Sequence, residues 1–167
     1  MQTDEISGKW IGHYRHGDEQ CEIEAIIQQD CAALTGTIVD ARTTSRKSVF
    51  EMAQAAGLPP GSDEKMEKQI RQLMPDAGNE PIQIETILPS NSVLKGRRNG
   101  AFVCFIKEYE THQSFRYHIG EQFVEIPIDQ HSVEYNGKLS SDGSQISGNW
   151  HITQEVSTTG TFLLNRA

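Results

Sequence analysis

The chain has 167 residues, of which 36% are hydrophobic and 7% aromatic, enough for one packed domain and typical of a β-rich protein whose strands show one face to water. Its formal net charge of −8 argues against a nucleic-acid partner, because phosphate binding calls for a basic face. No apolar run approaches the ~20 residues of a membrane span, so no membrane partner is expected.

Three cysteines, Cys21, Cys31 and Cys104, cannot all pair. No CxxC spacing suggests zinc, and the polar stretch Met1 to Glu5 does not read as a leader. Together these point to free thiols in a reducing cytoplasm, without a metal or other cofactor. The basic cluster Lys95, Arg97 and Arg98 adjoins Asn99-Gly100 and reads as a solvated turn.

Gly8 to Tyr14 alternates. With Trp10 inward, Gly8, Gly12 and Tyr14 share its side, and Lys9, Ile11, His13 and Arg15 face out. Gly17-Asp18 is a turn. Cys21, Ile23, Ala25 and Ile27 then form an inward row, and Gln29-Asp30 reads as the next turn. Ala33 to Asp40 is a third strand, rich in β-branched residues.

The period then changes. Val49, Met52, Ala53 and Ala56 recur at helical spacing over 45–56, and Gly57 with Pro59-Pro60 stops the run. Ser62 is placed to cap a second helix, with Met66, Ile70, Leu73 and Met74 as its apolar stripe. Strand character returns at 81–88 and is expected to continue through Val93-Leu94 after a bulge at Pro89. Arg98-Asn99-Gly100 is a tight turn. On the strand from Ala101 to Tyr109 either Val103, Phe105 and Lys107 or Phe102, Cys104 and Ile106 face inward, and Cys104 reads as an inert core thiol. Two short strand-like pieces flank Gly120. Val133 to Leu139 alternates cleanly, and Ser140 to Gly143 turns the chain into Ile146 to Ile152. The last strand places Phe162, Leu164 and Arg166 inward.

Ile146-Ser147-Gly148-Asn149-Trp150 repeats Ile6-Ser7-Gly8-Lys9-Trp10 closely. Counting strand directions brings Arg166 back beside Trp10 and sends both long excursions, about 41–79 and about 111–130, to one rim. The expected fold is mainly β: residues 1–167 as a single domain, an eight-stranded up-and-down antiparallel β-barrel with a two-helix insertion between strands 3 and 4. Such barrels have room for side chains or one small ligand.

Gly8-Lys9-Trp10 on the first strand and Arg166 at the end of the last resemble the calycin superfamily of lipocalins, fatty-acid-binding proteins and avidins, in whose lipocalin branch a C-terminal arginine covers such a tryptophan. Leu34-Thr35-Gly36-Thr37 resembles the third-strand motif of avidins. The resemblance implies a barrel that binds a small molecule. The position that would contact biotin's ureido oxygen is Gly12 here, and the tyrosine expected after Thr-Gly-Thr is Ile38, so biotin is not the expected ligand.

The candidate ligand-binding residues are Tyr14, Asp40, Lys107, Tyr135 and Trp150, under the helices as a lid. Asp40 and Lys107 are placed to pair across the mouth. The expected partner is a small, partly apolar molecule. One alternative is an isomerase or hydrolase using Lys107, Asp40 or His118, for which no orienting carboxylate has an identifiable spacing. Another is a plugged barrel acting as an interaction module, with Ile11, Ile26, Ile87 and Leu163 as a self-association patch that makes a homo-oligomer possible. His13, His16 and His112 read as surface histidines.

Overall fold

A computed structural model of the protein describes residues 5–41, 44–128, 132–152 and 158–167. Its strands are β1 Gly8–His16, β2 Glu19–Asp30, β3 Ala33–Asp40, β4 Thr44–Ser48, β5 Ile82–Ile87, β6 Asn91–Asn99, β7 Phe102–Tyr109, β8 Gln113–Ile119, β9 Gln122–Ile128, β10 Ser132–Leu139, β11 Gln145–Ile152 and β12 Thr158–Arg166. Helices α1 Val49–Ala55 and α2 Ser62–Leu73 lie between β4 and β5. The chain divides into two compact units: Met1–Arg42 with Pro89–Thr111 and Gln130–Ala167, and Thr43–Leu88 with His112–Asp129.

The first unit is a closed antiparallel barrel in the ring order β1-β12-β11-β10-β7-β6-β3-β2. Read along the chain, its eight strands go up and down, as the alternation predicts. The ring closes where β1 pairs with β12, with Trp10 opposite Arg166 and Tyr14 opposite Phe162. This closure depends on a backbone approach that only glycine allows. A Cβ on Gly12 would run into the Leu163 carbonyl of β12, which explains why no polar side chain stands at that position. Further along the same seam, Gly160 of β12 lies against the Arg15 carbonyl of β1 and the Trp150 ring with no room for a side chain.

The tryptophans of the repeated motif are both inward. Trp10 is fully buried, and its Nε1 donates to the Ile6 carbonyl at 2.9 Å. The Arg166 guanidinium lies 4.9 Å from the Trp10 ring and donates from Nη2 to the Glu5 carbonyl at 2.8 Å, so the expected pairing at the barrel base is present. The ambiguous β7 resolves with Val103, Phe105, Lys107 and Tyr109 inward and Phe102, Cys104 and Ile106 outward. Cys104 is therefore an exposed thiol, not a core one; Cys31 is also exposed, Cys21 is buried, and all three are free.

The second unit is a four-stranded antiparallel sheet in the order β4-β5-β8-β9, with both helices on one face. Val49 of α1 and Ile70 and Met74 from α2 and its C-terminal end bury against Ile82, Ile84 and Ile119. The apolar stripes of the insertion are thus used on a sheet of their own. Residues 45–48 are strand rather than helix. Ser48 ends that strand and caps α1, its Oγ accepting from the Glu51 amide while the Glu51 carboxylate accepts from the Ser48 amide. Helix α2 is capped by Gly61, whose φ of 85° suits glycine, and Ser62 is already its first helical residue. The expected continuous strand across Pro89 is two strands in two sheets: β5 belongs to the small sheet and β6 to the barrel. Among the described residues no helix is long and apolar enough to cross a membrane.

Candidate functional site

Asp40 ends β3 and Lys107 lies on β7, with β6 between them. Strand parity sends both side chains into the barrel. There the Lys107 Nζ donates to both oxygens of Asp40, at 2.6 and 2.7 Å. Neither side chain is more than 1% exposed. The ammonium lies 4.7 Å from the Tyr109 ring and 5.4 Å from the Tyr14 ring, so aromatic faces replace water around the part of the cation that the carboxylate does not touch. Tyr14 stands directly across from Cys21 on β2. Ser92 of β6, paired with Tyr109 of β7, donates from its Oγ to the Ile38 carbonyl at 3.0 Å.

Burial opposes both charges. It raises the Asp40 carboxyl above its ordinary value, the nearby Lys107 offsetting only part of the effect, and it lowers the Lys107 ammonium, with Asp40 offsetting part. Tyr14 is pushed up chiefly by burial, then by its hydrogen bond with Cys21 and the Asp40 charge. Tyr109 is pushed up by burial and by Asp40, so both phenols stay protonated. The result is an ammonium, a carboxylate, two phenols and a thiol in one enclosed locus. Such a set can anchor a small polar group, or pass a proton between Nζ and a carboxylate oxygen.

Of the residues expected from the sequence, Tyr14, Asp40 and Lys107 meet here. Tyr135 stacks on Phe105 at 4.8 Å with an 11° interplanar angle, and Phe162 meets both rings edge-on. Burial keeps its phenol protonated. Trp150 donates from Nε1 to the Arg15 carbonyl at 3.0 Å and touches the Tyr14 and His16 rings edge-on. Tyr109 and Cys21 complete the polar locus without having been singled out in the sequence. Tyr109 shares parity with Lys107, so fixing the face of β7 is the signal that finds it.

His118 lies in the second unit, on β8. The carboxylate that orients it is Glu85 of β5, whose Oε2 is 2.7 Å from His118 Nε2 and 3.4 Å from Arg46 Nη2. The pair forms between strands 33 residues apart in the chain, which no local spacing reveals. The hydrogen bond from His118, followed by the charges of Arg46, His118 and Arg116, holds the Glu85 carboxyl below its ordinary value.

The residues expected as a self-association patch do not form one strip. Ile11 is flanked across strands by Glu24 and Asn165, Ile26 by Lys9 and Thr37, and Lys9 pairs with Glu24 at 3.0 Å. Ile87 belongs to the small sheet.

The fold and its interior define a class: a closed eight-stranded antiparallel barrel carrying an inserted α/β unit and an ion pair inside the ring. No protein-family model matches the chain, and neither does any curated protein or solved structure.

Proposed function

We propose that this chain is a calycin-like, cytoplasmic binding protein that takes one small, partly apolar molecule into its barrel. In this reading Lys107 and Asp40 anchor the ligand's polar group, and Tyr14, Tyr135 and Trp150 supply aromatic walls. The observation that carries the reading is the enclosed Lys107–Asp40 pair. Desolvating two ions costs several kcal/mol each, and apolar side chains of the same volume stabilise such a position as well or better. An ion pair in that place therefore has a use beyond packing. The Arg166–Trp10 contact at the base supports the calycin assignment. The free thiols agree with a reducing compartment.

The test is titration with an amphipathic fluorescent reporter that brightens in apolar surroundings, 1-anilinonaphthalene-8-sulfonate, together with native mass spectrometry of the purified protein. Wild type is expected to bind one equivalent, saturably. The double variant Asp40→Leu/Lys107→Met is expected to bind at least about tenfold more weakly while remaining folded. Absence of a saturable one-to-one complex in wild type, or equal binding by the double variant, rejects the reading. A second reading, proton-transfer catalysis as an isomerase or hydrolase, is supported by the 2.6 Å contact between two groups whose charges burial opposes. It requires turnover that the double variant lacks.

A further inference from the structure

On one side the small sheet stops at β9, which pairs with β8 and, among the described residues, with no other strand. The β8–β9 hairpin fixes which of its backbone groups are spare. Ile119 stands opposite Gln122, and the loop between them is Gly120-Glu121. Gly120 has a φ of 59°, as the first loop residue of a type II′ turn requires. Such a turn closes with a hydrogen bond between its first and fourth residues, here Ile119 and Gln122. Antiparallel ladders then alternate between bonded and unbonded pairs. Tyr117–Val124 and Phe115–Ile126 are bonded, whereas His118–Phe123, Arg116–Glu125 and Ser114–Pro127 are not. The N–H and C=O groups of Phe123 and Glu125 therefore point away from β8. Pro127, which has no N–H, takes the next outward position, where the hairpin needs no donor.

The side chains sort by the same parity. Val124 packs on the helix side of the sheet. Phe123 and Glu125 lie on the other face, Phe123 54% exposed and with the Arg116 guanidinium carbon 5.2 Å from its ring centre. Glu125 is the single charged residue of β9.

We propose that β9 pairs with β9 of a second copy of this chain, antiparallel, about a two-fold axis at Val124. Phe123 and the partner's Glu125 then exchange both backbone hydrogen bonds, and the axis repeats the exchange. Their side chains share a face, so the partner's carboxylate stands beside a ring attended by the Arg116 cation, and no like charges meet. On the helix side Val124 meets the partner's Val124, and Gln122 meets the partner's Ile126. Charge selects this register. An axis at Glu125 sets that carboxylate against the partner's Glu125, and an axis at Phe123 sets it against the partner's Glu121. An axis at Ile126 leaves the Glu125 carbonyl facing the partner's Pro127, which has no donor. A foreign peptide would supply the same backbone bonds; the strand's match to itself is what favours a second copy. The joint is smaller than a standard interface, so the dimer is weak and concentration-dependent.

The experiment is sedimentation velocity over a concentration series. Wild type is expected to show a reversible monomer–dimer equilibrium that reaches twice the chain's 18.7 kDa. Glu125→Pro removes an outward N–H from each copy, as Pro127 does two residues on, and should raise the dissociation constant at least about tenfold. Phe123→Glu sets a second carboxylate opposite the partner's Glu125 and should also weaken the dimer. Far-UV circular dichroism checks that both variants keep their sheets. In a Cys31→Ser/Cys104→Ser background, Val124→Cys places the two thiols at the axis, where Cβ atoms of an unbonded pair lie ~4.5–5.5 Å apart, and mild oxidation should link the copies. Glu125→Cys, set off from the axis, should not link them. A wild type that stays monomeric throughout the series overturns the proposal and leaves this strand to a foreign peptide. A dimer that folded Glu125→Pro and Phe123→Glu leave equally tight, or one that links at position 125 and not at 124, overturns it as well.

Discussion

In the barrel, Lys107 and Asp40 meet without solvent, whereas the small sheet lays Arg46, Glu85, Arg116 and Glu125 across one face at side-chain exposures of 58, 12, 36 and 45%. The two arrangements push their carboxylates in opposite directions. Asp40 is raised because desolvation outweighs a close ammonium; Glu85 is lowered because a hydrogen bond from His118 and nearby cations outweigh desolvation. Opposite charge at contact distance does not by itself decide the direction of a pKa shift. The number of donors around the carboxylate, and the water left near it, decide it.

The sharpest way to break this comparison is to remove one partner inside the ring. Lys107→Met alone leaves a buried carboxylate and should cost ~3–5 kcal/mol in urea unfolding. Adding Asp40→Leu should recover that loss and can exceed wild type by ~1–4 kcal/mol. A neutral single variant would show that the pair is not ionised in the folded protein. In the small sheet, Glu85→Gln should cost only about 1 kcal/mol, since Arg46 keeps its water.

Acid titration separates the two carboxylates by sign. Glu85 contributes stability that is complete above the ordinary carboxylate range and vanishes as pH falls through its lowered value. Asp40 has a raised value, so folding disfavours its ionised form and stability declines as pH climbs from the ordinary value through the raised one. As pH falls through the acid range, Glu85→Gln should flatten an acid-induced loss, and Asp40→Leu/Lys107→Met should remove an acid-induced gain. Unfolding curves across that range check both signs. The smallest effect is expected at the base: Arg166→Met keeps the apolar stem, loses the contact with the Trp10 ring and should cost ~0.5–1 kcal/mol in thermal unfolding.

The barrel was largely legible in the sequence because its strands have one wet and one dry face, and period-two alternation reports that directly. Trp10 and Arg166 marked the closure because a large inward ring at the first strand and a cation at the end of the last could meet at one end of a closed ring. The face of β7 was not legible, since Phe102, Cys104 and Ile106 are as apolar as Val103, Phe105 and Tyr109. The outcome is counterintuitive: the face with the lysine is the inner one. The small sheet was hidden for a different reason. Its four strands come from two segments of the chain, and β5 continues toward β6 through Pro89 with strand character on both sides. The short polar β4, Thr44 to Ser48, runs straight into the helical spacing of Val49, Met52 and Ala53 and was absorbed into it. Glu85 and His118 lie on strands whose pairing only the folded register defines, so their contact had no sequence signature.

A ring of strands has no outermost ribbon, but the four-stranded sheet ends in β4 and β9. The β4 side is five residues long and carries Arg46 and Lys47, both poor templates for a docking strand. The β9 side is seven residues long and includes Phe123, Val124 and Ile126, interrupted by Pro127 only near its end. Should this protein clump when heated or crowded, the first strand to recruit a foreign neighbour would be β9, and its exposed Phe123, on the face away from the helices, would be the place to install a guard, as Phe123→Lys.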